Sequence, residues 1–294
     1  MIRLCFVAVM LLFSQPLFAK EEITIITRNA ASSPSMVTGS ILVKRLNAIQ
    51  DKYNFTLRSV LGNNGENADQ RALALARNGT KVLSFGPIAS YTVNRYEVGP
   101  TFDRDNDFYF IKSFTTTYQS VVTNPDDTSK NADEYFEALK KKNKSFYGIT
   151  MEAGSSGYLT NILLRHYNII NAEKIKYKDF AEISRALLNK EIDFSIYIFP
   201  GIGSLKEVLN SSTGANSGKE SGIEDFFYEN NSSFAVPKEF KEFGLEIKPY
   251  FDQLCNDPEI NEAVEKYKYK RTCYDDDMMR QKIEKELKMI EKYK

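Results

Sequence analysis

Histidine and cysteine are scarce in this sequence. Among 294 residues there is one histidine, His166, and there are three cysteines, Cys5, Cys255 and Cys273. A structural zinc site takes about four such ligands, so we expect no metal site of this type. Ser-His or Cys-His catalysis would depend on His166 alone. Chemistry carried by these side chains is therefore tightly restricted.

An excess of either charge is also lacking. Lysine and arginine number 39, and aspartate and glutamate also number 39, so the net charge is zero. Nucleic-acid binding relies on Lys and Arg that displace counterions from phosphates, and the sequence has no long basic stripe. We therefore expect no nucleic-acid partner. The hydrophobic fraction of 42% is ordinary for a folded protein, and 294 residues suffice for two lobes.

The first 19 residues have the pattern of a secretory signal peptide. Arg3 precedes an apolar run over residues 4–13, and the segment after it ends at Ala19, just before a charged cluster. The run is too short to span a bilayer, and a buried core helix, the alternative, would not explain the abrupt onset of charge. We expect cleavage after Ala19 and secretion of the mature chain.

Export leaves two cysteines in the mature chain, because Cys5 lies within the signal. Cys255 and Cys273 then enter an oxidising compartment, where they can form a disulfide. Spacing alone leaves two free buried thiols as the alternative.

Strand-like and helix-like segments alternate along the chain. Residues 23–27, 55–60 and 82–85 are rich in β-branched and aromatic residues, and segments with helical spacing separate them. This βαβαβ order predicts an α/β sheet with helices on both faces. A second set of strands and helices covers residues 120–199. Each lobe is therefore expected to be a central sheet flanked by helices.

Three further local patterns give specific expectations. Asn131, followed by Glu134, is typical of a helix N-cap and its partner. Two C-terminal helices are predicted, one from Pro258 and one over residues 275–292. The stretch 210–221, rich in Ser, Asn and Gly, predicts an exposed connecting loop.

Two loops of small residues are candidate ligand sites. Residues 30–35 follow the first strand, and residues 154–157 follow the strand expected over residues 146–150. In α/β sheets, ligands bind at the carboxyl ends of strands, where helix N-termini attract anions. Each loop alone is typical of an ordinary turn. Together, one in each lobe, they predict a cleft that closes on a small anion such as a carboxylate.

Five segments carry a family resemblance by their order and spacing: residues 102–108, 121–125, 154–159, 177–178 and 186–193. They resemble the second-lobe pattern of the tripartite tricarboxylate transporter receptors, the Bug-type solute-binding proteins. The resemblance extends roughly over residues 22–200.

The resemblance implies a two-lobed periplasmic binding protein fold of type II. Residues 20–121 and 229–294 would form lobe 1, and residues 122–228 would form lobe 2. It also implies a receptor without cofactor or catalytic residues. This receptor would be a monomer that captures a small carboxylate and delivers it to the membrane permease subunits of a tripartite tricarboxylate-type transporter.

By position in the family pattern, the ligand-binding residues are expected at the two loops, at the end of the third strand and at the end of the strand after Asp193. They are Ser32, Ser33, Ser35, Gly86, Pro87, Ile88, Gly154, Ser155, Ser156, Gly157 and Tyr197.

Some positions depart from the family pattern. Met36 occupies a position where the family usually has Asp, and Tyr158 replaces a frequent His. Arg28 and Arg95 lie close to strand ends and could bind a distal carboxylate of the ligand. Surface salt bridges are the alternative for both arginines.

Other functions fit parts of the sequence. The same receptor could serve as an extracytoplasmic sensor for a membrane kinase. A secreted enzyme would need Ser155 or Ser156 as nucleophile, but no Gly-x-Ser-x-Gly elbow is present and His166 lies about three helical turns further on. A structural periplasmic module would need no cleft.

Overall fold

Two sheets flanked by helices organise the chain, one sheet in each of two lobes. The computed structural model describes residues 19–29, 33–93, 107–150, 155–198, 203–212, 215–223, 225–266 and 269–291. The strands in chain order are β1 (Glu21–Thr27), β2 (Tyr53–Ser59), β3 (Val82–Pro87), β4 (Phe108–Thr117), β5 (Gln119–Thr123), β6 (Ser145–Ile149), β7 (Ala172–Lys176), β8 (Phe194–Ile198), β9 (Lys206–Asn210), β10 (Asn230–Pro237) and β11 (Lys270–Tyr274). The helices are α1 (Pro34–Ala48), α2 (Glu66–Arg77), α3 (Ala132–Lys140), α4 (Ser155–His166), α5 (Phe180–Leu188), α6 (Lys241–Leu254), α7 (Pro258–Lys266) and α8 (Asp276–Glu291).

The first lobe contains a six-stranded sheet in the order β11-β4-β10-β3-β1-β2. β2, β1 and β3 are parallel, whereas β10 is antiparallel to both of its neighbours. Both faces are covered: Ile23 and Ile25 belong to the core beneath α1 and α6, and Ile26 belongs to the core beneath α2 and α8. The parallel part of the sheet therefore carries the helices on both faces that the βαβ order predicts.

The second lobe contains a five-stranded sheet in the order β7-β6-β8-β5-β9. β7, β6 and β8 are parallel, and β5 is antiparallel to β8 and β9. Phe136 of α3 stacks on Tyr167 at 4.6 Å between ring centroids, and its ring edge meets Phe194 of β8. α3 and α4 cover this face, and α5 covers the other.

Several expectations for individual elements are met. Asn131 caps α3, because its side chain accepts the backbone N–H of Glu134 at 2.9 Å. α7 begins at Pro258, and α8 covers Asp276–Glu291. Cys255, at the end of α6, and Cys273, in β11, form a disulfide with a Cα–Cα distance of 6.0 Å. The bond ties the edge strand of the first sheet to α6.

α8 packs on both lobes. Its residues Met279 and Ile283 lie in a first-lobe core, and Ile290 lies in the second-lobe core. A helix that contributes to both cores constrains how the lobes can move. Within the described ranges, no helix is both long enough and apolar enough to cross a membrane.

Among the strands that the structure describes, the chain passes from one sheet to the other at two places. β4 ends at Thr117 and β5 begins at Gln119, so the first crossing is at Tyr118. The expected boundary after residue 121 therefore lies inside β5. The second crossing leads into β10, which begins at Asn230.

Ser211 joins these two crossings. Its hydroxyl accepts the N–H of Gln119 and donates to the carbonyl of Tyr228, both at 2.9 Å. Its own N–H donates to the Gln119 carbonyl, and its carbonyl accepts the Tyr228 N–H. Ser211 has no exposed surface and Ser217 is 1% exposed, so the expectation of an exposed connector over residues 210–221 is wrong at both residues. The Gln119 N–H and the Tyr228 carbonyl are buried where the chain crosses between the sheets, and Ser211 supplies the hydrogen-bond partner of both.

We predict that Ser211→Ala lowers the free energy of unfolding by about 2 kcal/mol, because it leaves a buried N–H and a buried carbonyl without their partner. Urea denaturation measures this change. Ser40→Ala is the matched control, since the Ser40 hydroxyl donates to a carbonyl within α1 at an exposed position. Equal stability of the two variants would contradict the role given to Ser211.

Candidate functional site

The first half of the candidate site lies where β1 and β3 end. These strands are parallel, and Thr27 of β1 is paired with Phe85 of β3, so both carboxyl ends lie at the same edge. Gly86 and Pro87 are the last residues of β3, and Ile88 begins the short 3₁₀ turn that follows. The structure thus brings three of the expected ligand residues to the edge where α/β sheets bind ligands.

α1 starts at the same edge, because it follows β1. Ser33 is its N-cap, and its hydroxyl accepts the backbone N–H of Met36 at 3.2 Å. Pro34 fits the first turn, where an N–H is not needed. Ser35 lies in that turn, and Ser32 lies outside the described residues. The first-lobe loop therefore leads into a helix N-terminus, which carries partial positive charge.

The second half of the candidate site is the start of α4 in the other lobe. α4 follows β6, and Ser155, Ser156 and Gly157 form its first turn. The hydroxyl of Ser155 accepts a hydrogen bond from the side-chain amide of Gln119, the first residue of β5. Ser155 is thereby tied directly to the first lobe crossing. Gly154 lies outside the described residues.

Tyr197 lies on the face of β8 that α5 covers. Its ring is 4.5 Å from the Phe180 ring, centroid to centroid, and its hydroxyl is 3.2 Å from the Phe180 carbonyl and from the Ser184 hydroxyl. Burial raises the pKa of this hydroxyl. These contacts hold the Tyr197 hydroxyl within the second lobe, and its role in ligand binding stays a prediction.

The two arginines near strand ends have different outcomes. Arg28 forms an ion pair with Asp69 of α2, Nη2 to Oδ1 at 2.8 Å, and the side chains are only 6% and 0% exposed. A surface salt bridge, the alternative considered for Arg28, is therefore wrong. Arg95 lies outside the described residues.

A polar cluster lies where the lobes meet. Thr92 donates to the Glu286 carboxylate of α8 at 2.9 Å. Burial raises the pKa of Glu286 to about 8, against the lowering effects of this hydrogen bond and of Lys282. The pKa of Tyr228 is raised well above its usual range, first by burial and then by Glu286. Tyr158, in the first turn of α4, also has a raised pKa through burial.

His166 does not approach the candidate serines. It is the last residue of α4, a helix of 12 residues, whereas Ser155 is the first. At 1.5 Å per residue this separation is about 16 Å, far beyond hydrogen-bond reach. The geometry thus provides no Ser155–His166 pair for nucleophilic catalysis.

Sequence reasoning missed Gln119, Ser211 and Glu286. Each acts through a partner distant in the chain: Gln119 contacts Ser155, Ser211 contacts Tyr228, and Glu286 contacts Thr92. A polar residue at a strand start or in a serine-rich stretch gives no signal of such pairing.

Comparison with solved structures shows the fold. BugD, described as a periplasmic binding protein, matches with a TM-score of 0.77 and 14% identity, over 94% of this chain and 97% of that one. The R. palustris protein Rpa4515, solved with adipate, matches with a TM-score of 0.81 and 12% identity, over 94% and 97%. MatC from Rhodopseudomonas palustris, with bound malate, matches with a TM-score of 0.79 and 12% identity, over 94% and 99%.

These matches confirm the two-lobed periplasmic binding protein fold expected from the sequence. At the level of sequence, no family profile and no curated protein matches the chain.

We predict that Glu286 makes stability fall with rising pH. Between its ordinary pKa of 4.5 and its native pKa of about 8, the folded chain holds a proton that the unfolded chain has released. Raising the pH through this window therefore lowers the free energy of unfolding, by up to about 1.4 kcal/mol per pH unit. Glu286→Gln, which cannot ionise, should lack this component in urea denaturation at pH 5, 6.5 and 8.

Glu284→Gln is the matched control on the same helix, because Glu284 is exposed and pairs with Lys288. The free energy of unfolding of Glu284→Gln should still fall with rising pH, as in the wild type. If wild type and Glu286→Gln show parallel pH profiles, the placement of a half-buried, protonated carboxyl where the lobes meet is wrong.

Proposed function

We propose that the chain is a periplasmic receptor that captures a small carboxylate between its two lobes. The observation that carries the proposal is the pair of helix N-termini, α1 in one lobe and α4 in the other. Each follows a strand of the parallel part of its sheet and has serines at its start. These are Ser33, the N-cap of α1, and Ser35 in its first turn, and Ser155 and Ser156 in the first turn of α4. An anion held between them would gain from both helix dipoles and from the serine hydroxyls.

The fold supports a closing motion. Strands of the two sheets follow each other in the chain at the crossings at Tyr118 and before Asn230, and each lobe keeps a sheet and cores of its own. Two lobes joined by a few residues can close about a ligand by hinge rotation. A ligand that touches both lobes favours the closed state by its differential affinity for that state.

The structural neighbours support the ligand class. Rpa4515 was solved with adipate and MatC with malate, and both compounds are dicarboxylates. BugD is described as a periplasmic binding protein, and a binding role agrees with the distance between Ser155 and His166. We infer that this chain also binds without catalysis, with an organic acid as its ligand.

The partner follows from the same proposal. The predicted signal peptide over residues 1–19 directs the chain to the periplasm, where a receptor of this fold delivers its ligand to a membrane transporter. We infer that the partner is the permease of a tripartite tricarboxylate-type system, and that the receptor works as a monomer.

Thermal unfolding with acetate, succinate, malate, adipate and citrate tests this function. At about 100 times its dissociation constant, a bound acid adds about 2.7 kcal/mol and should raise the Tm by about 5–10 °C. Calorimetry then measures the affinity of each acid that stabilises the protein. Sulfate at equal ionic strength is the control for a general anion effect. The proposal fails if no acid stabilises the protein beyond sulfate.

A further inference from the structure

Arg28 lies at the edge of the first-lobe sheet where β1 and β3 end, and the residues around it hold its side chain in place. It directly follows Thr27, the last residue of β1, and its Nη2 donates to Oδ1 of Asp69 at 2.8 Å. Asp69 has no exposed surface and also accepts the Ser84 hydroxyl at 3.1 Å. Ser84 of β3 and Arg28 thus share Oδ1 of Asp69, whereas its Oδ2 is buried and has no hydrogen-bond partner among the described residues. The carboxylate orients the guanidinium through one nitrogen.

Two glycines leave space for the Arg28 side chain because they have no Cβ. A Cβ at Gly86 would lie 2.6 Å from Nε of Arg28, and a Cβ at Gly65 would lie 2.9 Å from its Cδ. Any larger residue at Gly86 would press directly on the guanidinium. On another side, the Tyr91 ring lies 5.6 Å from Cζ of Arg28, in the range of a cation–π contact. The surroundings therefore fix the guanidinium at the ends of β1 and β3.

The guanidinium still has unused donors. Nε and Nη1 of Arg28 are buried, and neither has a hydrogen-bond partner among the residues that the structure describes. Arg stays charged in proteins, so burial cannot be relieved by loss of a proton. Buried donors on a cation are unfavourable unless an acceptor meets them, and an anionic acceptor is the best match.

We propose that Arg28 binds a carboxylate of the ligand through its Nε–H and Nη1–H groups, while Asp69 holds the guanidinium from Nη2. This inference rests on the proposed function and names the side chain that recognises the anion in the first lobe. The Arg28–Asp69 pair is neutral as a whole, so a carboxylate, with a single negative charge, suits it better than a dianionic phosphate. The partial positive charge at the start of α1 lies at the same edge and adds to the attraction.

The test compares two double variants by calorimetry with the acid that stabilises the wild type most in the set named above. Arg28→Met/Asp69→Asn removes the cation without leaving a buried carboxylate unpaired. We expect the dissociation constant for that acid to rise by roughly tenfold to hundredfold.

Arg45→Met/Asp257→Asn is the matched control. It removes another ion pair of the same lobe, Nη2 to Oδ2 at 2.7 Å, that lies where α1 ends and α7 begins. This control should bind the acid within about twofold of wild type, because it lies away from the ligand edge. A folded Arg28→Met/Asp69→Asn protein that also binds within twofold overturns the assignment of Arg28 and leaves the carboxylate receptor intact. Failure of every acid to bind wild type overturns both.

A second measurement does not depend on the double variant folding. In wild-type protein labelled with ¹⁵N-arginine, the Nε–H resonance of Arg28 should shift when the acid is added, and that of Arg45 should stay in place. Arg28→Lys identifies the resonance, because it removes that signal and keeps the charge. An unchanged Arg28 resonance in protein saturated with the acid would overturn the proposal.

Discussion

The structure depends on how its two lobes are joined at Ser211. This residue accepts from Gln119 at one crossing and donates to Tyr228 at the other, with no exposed surface. Because the Ser211 hydroxyl bonds to both crossings, rotation of one lobe against the other must move or break these hydrogen bonds. Gln119 extends this hydrogen-bond network to the start of α4, because its side-chain amide donates to the Ser155 hydroxyl. The second-lobe half of the candidate site is thus attached to the first crossing.

The candidate anion site is compatible with a composition that shows no excess of positive charge. Helix N-termini and serine hydroxyls can hold an anion without any Lys or Arg. In our proposal the first lobe adds one guanidinium, that of Arg28, and Asp69 balances its charge within the protein. A net charge of zero is therefore compatible with an anion site. The single histidine is equally unsurprising in a protein whose proposed role is to bind and close.

The sequence predicted those parts whose patterns are local. The strands around residues 23–27 and 82–85, the cap at Asn131 and the two-lobed α/β fold follow from periodicity, capping and order. β4 and β10 were not predicted. Every residue in both strands is buried, so neither shows the alternation of apolar and polar residues that marks a half-buried strand. The candidate site was proposed from the sequence as two loops of small residues, and its role in ligand binding stays a prediction. The contacts that support it, Gln119 to Ser155 and Arg28 to Asp69, join positions far apart in the chain and leave no local pattern.

Hydrogen–deuterium exchange with and without the most stabilising acid tests the central claim, capture between the lobes, most directly. Our account predicts that the acid slows exchange at the starts of both α1 and α4, in the same titration, and also at the Gln119 crossing. Exposed amides at the far end of α4, near His166, should exchange as before. Slower exchange confined to one lobe would show that the acid binds without bringing the lobes together, and would contradict the account.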